Sequence, residues 1–487
     1  MADDQQSGGL LPNLSPRRQQ ILNRMERAAA EGERKWRNSF FYESDYDYLR
    51  FVVPEGSRVL VLGCGDGKIL DALAPAYGVG IEVSPSVVER ARQAYPRFTF
   101  MVGDVDNLSQ PIPDEKPFDF VIMPDTIGLL DDVQNALEQL HPYFSENTRL
   151  VISYYSHLWE PLIWLAERLS LKSRQPEVNY LSSVNFANLL KLADFEQVKE
   201  EWRILVPYRM LGLGTFVNRY LATLPFIRRL CLRRYFIARS LRKAARRDLS
   251  ATVVVPCRNE RGNIENAIRR MPRFCDRLEV VFVEGNSSDG TFAECERVRD
   301  AYAGQWDIKV YKQTGKGKGD AVRVGFDKAT GDVLIILDAD LTVPPEEMPK
   351  FYEAIASGKG EFINGSRLVY PKEKGAMRFL NATANRFFAA IFSFLLNERF
   401  TDTLCGTKVL TRSGYQRIVA NRSYFGDFDP FGDFDLIFGA AKQNMAFLEI
   451  PVRYYAREYG STQIARFRDG WLLLKMVVVS WRRLKAF

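Results

Sequence analysis

At 487 residues the chain is longer than one hydrophobic core usually grows, which favours two domains or more. Its 46% hydrophobic and 26% charged residues exclude a disordered polymer and fit ordinary globular protein. The net charge of +7 is mild over the whole chain but concentrated in one place, since residues 226–247 hold nine Arg and Lys and no acid.

In chain order, a polar and charged lead-in, expected to be helical, occupies residues 1–48. Apolar runs at 59–62, 79–82, 98–102, 118–123 and 150–153 then alternate with amphipathic stretches, the pattern of a parallel α/β sheet, and define a first domain over 49–202. The basic stretch lies in a segment, 203–248, that reads as a linker. Its interleaved Leu, Ile, Phe and Tyr suit an amphipathic helix on acidic lipid better than a nucleic-acid contact, with a plain solvated helix as the bland alternative. A second alternation, at 252–255, 280–283, 308–311 and 333–337, opens a second domain over 249–465, and an apolar, basic helix over 466–487 closes the chain.

The string VLVLGCGDGKIL places Gly63, Gly65 and Gly67 between a strand and a helix. Glycines there let the chain turn tightly and let backbone N–H groups approach a ligand at a helix N-terminus. Glu82 ends the next strand, where an acid can accept both hydroxyls of a ribose, and Asp104 follows the third strand, in reach of an adenine. Spacing alone would suit NAD as well as another adenosine cofactor.

The series VLGCGDG, GIEVS and VGDVDN resembles the motifs of class I S-adenosylmethionine methyltransferases, which have a Rossmann-like fold. The resemblance implies that Gly63, Gly65 and Gly67 border the methionine end of the cofactor, Glu82 the ribose and Asp104 the adenine. It also implies that residues 123–127 line the methyl-transfer site. Candidates for a base are Asp125, His141 and His157.

In the second domain VLIILDADLTVP runs apolar and then presents Asp338 and Asp340, close enough to share one Mg²⁺ or Mn²⁺ with diphosphate oxygens. Two upstream strands end in PCRNE and EGNSSDGT, polar groups that could hold a nucleoside, and Gly315 to Gly319 form a loop that could fold over phosphates. The GxxxxGK[ST] spacing of a P-loop is missing.

The ordered set PCRNE, EGNSSDGT, GKGKGDAVRVGF, LDADL, GSR and FGDFD resembles family 2 glycosyltransferases of the GT-A fold, and among them the polyprenyl-phosphate type. Glu284 stands where that family usually has Asp. The resemblance implies inverting transfer from a UDP- or GDP-sugar, with Asp338 and Asp340 on the metal. It places Pro256, Arg258, Glu260, Glu284, Asp289 and Lys318 around the nucleotide-sugar. Arg367, Arg378, Asp402, Arg457 and Ser461 fall towards the acceptor, with Thr462 beside Ser461. Asp433, or Asp435, would be the base if the acceptor were a sugar hydroxyl, and a lipid phosphate would need none.

The segment 385–396 is dense in Phe and Leu and is expected to dip into the membrane beside the acceptor arginines, with core packing as the alternative. No apolar run is long enough to span a bilayer, the start MADDQQSGG does not look like a secretory leader, and six cysteines without a CxxC pair suit a reducing compartment. Together these give a cytoplasmic protein, peripheral on the inner face of the cell membrane, with a nucleotide-sugar donor, a lipid-phosphate or glycan acceptor and no nucleic-acid partner. The competing expectations are a glycan-hydroxyl acceptor with a noncatalytic cofactor-binding first domain, and a nonenzymatic membrane-assembly subunit.

Overall fold

The computed structural model describes residues 14–30, 39–108, 112, 116–169, 179, 181–244, 246–370, 379–424, 433–460 and 466–486. They form two compact units, Met1–Ala244 and Ala245–Phe487.

The first unit is built on seven strands: β1 (Arg58–Leu62), β2 (Tyr77–Glu82), β3 (Thr99–Val102), β4 (Phe118–Pro124), β5 (Phe144–Tyr155), β6 (Phe195–Arg203) and β7 (Arg233–Ser240). They lie in the order β3-β2-β1-β4-β5-β7-β6. β1 pairs in parallel with both β2 and β4, and the central strands are buried on both faces, which is why they read as unbroken apolar runs. Strand order reverses between β1 and β4, so a crevice opens outside their carboxyl ends.

The expected amphipathic helix over 226–247 is not there. Ile227–Leu230 is one tight helical turn, and Arg233–Ser240 is a strand with every residue buried, antiparallel to both β5 and β6. Its arginines are buried because carboxylates from other elements meet them: Asp45 and Asp125 at Arg233, Glu200 at Arg234 and Glu196 at Arg239. A stretch that looks acid-free along the chain is therefore neutralised in space. The first unit runs to Ala244, so it takes in most of the segment 203–248, of which Arg203 and Arg233–Ser240 lie in its sheet.

The second unit also has seven strands: β8 (Ala251–Cys257), β9 (Leu278–Glu284), β10 (Asp307–Lys312), β11 (Val333–Ile336), β12 (Phe362–Ser366), β13 (Lys408–Thr411) and β14 (Phe447–Pro451). Their order is β10-β9-β8-β11-β13-β12-β14, with β13 antiparallel to β11 and β12. Here the order reverses between β8 and β11, and the second crevice lies at their carboxyl ends.

The helix Phe379–Leu396 packs much of its aromatic face inward. Phe388, Phe392, Leu395 and Leu396 are buried, and the Phe392 ring sits 4.9 Å from Phe434 and 5.6 Å from Phe438. The expectation of a membrane-dipping helix gives way to core packing, because the helix Asp433–Lys442 supplies the aromatic partners. Phe387 stays exposed. The closing helix Arg466–Leu484 buries Leu473, Met476 and Leu484 and exposes Trp471, Leu474 and Val478. Among the described residues no helix is long and apolar enough to cross a membrane.

Candidate active sites

In the first unit the chain leaves β1 through Gly63, Gly65 and Gly67, all at positive φ. A side chain at Gly63 would overlap the Thr126 hydroxyl, which donates to the Leu62 carbonyl at 2.7 Å and so ties the end of β1 to the turn after β4. The Glu82 carboxylate is buried, which pushes its pKa up, and it accepts the N–H groups of Gly65 at 3.0 Å and Val83 at 2.7 Å. Asp104 accepts from Arg18 at 2.5 Å. Arg18 comes from the helix Pro16–Ala30, whose Glu26 also takes the Ser84 hydroxyl at 2.6 Å. The lead-in thus supplies side chains to the same edge as the glycine turn.

The three candidate bases separate. Asp125, at φ 56°, follows β4 and pairs with Arg233. His157 follows β5 at the same edge, with Nδ1 3.3 Å from Arg234 Nη1. His141 precedes β5 at the opposite end of the sheet and is no part of the site. It is buried between Ser240 Oγ at 2.6 Å and the Ala193 carbonyl at 2.8 Å and stacks on Phe195, and burial pushes its pKa down. With Nε2 donating to the carbonyl, both ring nitrogens are spent on structure.

In the second unit Asp338 and Asp340 follow β11 into the crevice. Lys318, the first residue of the helix Lys318–Lys328, lies 2.7 Å from Asp338, and Arg457 lies 2.5 Å from Asp340 and 3.2 Å from Glu260. Burial alone would raise Asp338, but Lys318, Lys408 and Arg367 hold its pKa below the usual range. Glu260 is pushed up to about 7, chiefly by burial, with Arg457 and an Asn263 hydrogen bond at 2.7 Å opposing. Pro256 and the exposed Arg258 flank the same strand end. Asn259 accepts from the Ser288 N–H at 2.9 Å, tying this loop to the turn after β9. On that turn Glu284 is buried and accepts the Ser287 N–H, while Asp289 takes the Thr291 N–H at 3.0 Å and the Arg261 N–H at 3.3 Å.

Arg367 makes a fork with Asp402, Nε to Oδ2 at 2.7 Å and Nη2 to Oδ1 at 2.9 Å. The Tyr454 ring lies 5.1 Å away. Asp435 pairs with Arg422 at 3.1 Å. Arg378, Ser461 and Thr462, together with the side chain of Asp433, lie outside the described residues.

Two family models match. One, a methyltransferase domain, covers residues 34–200, and the other, glycosyl transferase family 2, covers residues 252–422. The chain joins a methyltransferase domain to a family 2 glycosyltransferase domain. Among curated proteins, the dolichol-phosphate mannosyltransferase of Pyrococcus furiosus is 38% identical over 124 residues, 25% of this chain and 34% of that protein. The polyprenol monophosphomannose synthase of Mycolicibacterium smegmatis is 28% identical over 227 residues, 44% of this chain and 80% of that protein. The chain spans about a third to a half of the length of the curated relatives it matches first. Among solved structures, a SAM-dependent methyltransferase from Thermotoga maritima matches 45% of this chain and 96% of its own, at 19% identity and a TM-score of 0.34.

Both domains contain site residues that sequence patterning passes over. In the methyltransferase domain they are Asp45 and Arg233, 188 positions apart, joined by two hydrogen bonds at 2.9 and 3.0 Å. In the glycosyltransferase domain they are Lys408, fully buried and electrostatically coupled to Asp338, and Gly406, where a Cβ would overlap the Asp338 carboxylate. The only local hint of the last two is their place inside DTLCGTKVL.

Proposed function

We propose that the chain is a bifunctional transferase. Its glycosyltransferase domain moves a sugar from a UDP- or GDP-sugar to a polyprenyl phosphate with inversion, and its methyltransferase domain uses S-adenosylmethionine. The observation that carries the first part is the convergence of Asp338 and Asp340 with Lys318, Arg457 and Glu260 at one strand end. The names of the dolichol- and polyprenol-phosphate relatives support the acceptor class.

Two carboxylates plus diphosphate oxygens form the hard-oxygen set that Mg²⁺ or Mn²⁺ takes, so the residues present fit such a cation. When bound, it supplies positive charge to the departing diphosphate. In the proposed reaction an acceptor phosphate oxygen bonds to the anomeric carbon as the bond from that carbon to the donor diphosphate breaks. The diphosphate leaves with the electron pair, and Lys318 and Arg457 are placed to neutralise it. Pro256, Arg258, Glu260, Glu284 and Asp289 hold the nucleoside. Arg367, oriented by Asp402, would meet the acceptor phosphate, and the family resemblance alone assigns Arg378 and Ser461 to the acceptor as well. The acceptor is already an anion, so no base is required. A glycan-hydroxyl acceptor would instead call on Asp433. The exposed Trp471, Leu474 and Val478, with Lys475, Arg482 and Arg483 on the same helix, support peripheral attachment to an anionic membrane at the cytoplasmic face.

In the methyltransferase domain Gly63, Gly65 and Gly67 would border the cofactor, with Glu82 on its ribose and Asp104 near its adenine. The cofactor supplies an electrophilic methyl group. A second reading, a cofactor-binding domain without methyl transfer, draws on Asp125 being engaged by Arg233. Methyl transfer into cell extracts separates the two.

The deciding experiment incubates labelled UDP- and GDP-sugars with Mg²⁺ or Mn²⁺ and short-chain polyprenyl phosphate, using wild type and Asp340→Ala. Label entering lipid only with intact Asp340 supports the proposal. Transfer to an oligosaccharide and to no lipid overturns the acceptor.

A further inference from the structure

Residues 204–232 leave the methyltransferase sheet after β6 and return into β7, and no Asp or Glu occurs among them. Both ends sit at the carboxyl edge of β5, since Arg233 pairs across the sheet with Tyr155 and with Arg203. That is the edge holding Asp125, which Arg233 also contacts.

The excursion is a built structure. The N–H groups of Leu205 and Val206 both donate to Asn218 Oδ1 at 2.9 Å, and Asn218 Nδ2 donates back to the Val206 carbonyl at 2.8 Å. Met210 and Leu211 hold left-handed φ values of 45° and 56°, conformations that bulky residues rarely adopt. Along this excursion apolar side chains stand outward. Leu211 is fully exposed, Phe226 is 90% exposed, and Met210, Leu213 and Phe216 are each more than half exposed. Beside them the Trp159 indole donates to the Leu230 carbonyl at 2.8 Å, fastening the start of the helix Glu160–Arg168, which itself exposes Trp164 and Leu165.

An apolar face of this extent has an unmet partner. The charge says which one. Arg219 and Arg229 are exposed among the apolar residues, Arg228 is half-buried with its guanidinium 5.1 Å from the Trp202 ring, and Arg209 pairs with Glu43 at 2.7 Å. Exposed Phe and Leu interspersed with Arg are the composition of an element seated at the headgroup boundary of an acidic bilayer.

We infer that this face docks the methyltransferase domain on an anionic lipid surface, with Leu211, Phe216 and Phe226 entering the acyl boundary and the arginines at the headgroups. The edge carrying Gly63 and Asp125 is then held at the membrane, and the methyl acceptor is a lipid-borne group. This docking is separate from the attachment proposed for the closing helix and does not depend on the sugar acceptor.

The test is flotation of the full chain with phosphatidylcholine vesicles with and without about a third phosphatidylglycerol. Three proteins are compared: wild type, Leu211→Ser/Phe226→Ser, and Trp471→Ser/Val478→Ser in the closing helix. Wild type should float with the anionic vesicles and lose binding as salt is raised. The Leu211/Phe226 variant should lose about tenfold or more in partition, given the apolar area withdrawn. The closing-helix variant should keep a salt-sensitive bound fraction. A Phe226→Trp protein should show more quenching by brominated lipid than wild type, a readout independent of the double variant's folding. Flotation of Leu211→Ser/Phe226→Ser equal to wild type, or no added quenching at position 226, overturns the inference. A double variant that instead halves its mass by light scattering, with vesicle binding unchanged, assigns the face to a second copy and also overturns it.

Discussion

Replacing Asp402 by Asn tests the electrostatics around the proposed acceptor arginine. The Asp402 carboxylate is fully buried and accepts hydrogen bonds from Arg367 N at 3.0 Å, Nε at 2.7 Å and Nη2 at 2.9 Å, from Asn385 Nδ2 at 2.7 Å and from Leu404 N at 3.1 Å. Burial by itself would raise its pKa, but Arg367 and Asn385 outweigh burial and hold it down to about 2 from the usual 3.8. That depression corresponds to roughly 2 to 3 kcal/mol. Because the folded value is depressed, the contribution is fully present above about pH 4 and is lost as pH falls through about 2. The Asn variant keeps the shape but turns an NH₂ towards N–H donors and leaves the Arg367 charge buried without its counter-charge. The expected cost is about 3 to 5 kcal/mol, or on the order of 10 °C in the melting transition of a unit this size. Calorimetry of the full chain between pH 5 and 8 should show one transition shifted by that amount, with the gap constant across the range and the other transition in place. A shift below about 0.5 kcal/mol, within the scatter of surface substitutions, would refute the argument that this pair holds Arg367.

Gly406→Ala should abolish sugar transfer while leaving the melting transitions within a few degrees, since the new methyl overlaps the Asp338 carboxylate and displaces it from Lys318; Mn²⁺ binding followed by electron paramagnetic resonance checks the displacement directly. Glu260, with its pKa raised to about 7, favours the fold when protonated, so its contribution is complete below about pH 4.5 and is lost as pH rises through 7. The melting temperature of Glu260→Gln relative to wild type should therefore rise from pH 5 to pH 8, and a difference that stays flat with pH contradicts the assignment. Arg233→Met leaves Asp45 buried without its counter-charge and should cost about 3 to 5 kcal/mol, read as a shift confined to the transition of the first unit.

Much of both α/β layers is legible along the chain. All nine expected strands are present, from β1 to β5 and from β8 to β11; central ones such as β1, β8, β9 and β11 are buried on both faces and need an apolar run that neighbours in sequence supply. The glycine turn after β1 and the pair Asp338 and Asp340 after β11 are local in the same sense, since a tight turn and two carboxylates one residue apart depend on adjacent residues. Strands β6 and β7 carry charges whose compensation comes from elsewhere, so their polarity disguises them. Folding turned a basic segment into a central strand by bringing Asp45, Asp125, Glu196 and Glu200 to it, and it removed His141 from the site by placing it at the opposite end of β5. It likewise assigned Lys318 to Asp338, Arg457 to Asp340 and Asp402 to Arg367. Turns and buried runs are properties of neighbouring residues, whereas the partner of a charge is decided by topology, which brings together residues as near as Lys318 and Asp338 and as far apart as Asp45 and Arg233, 188 positions.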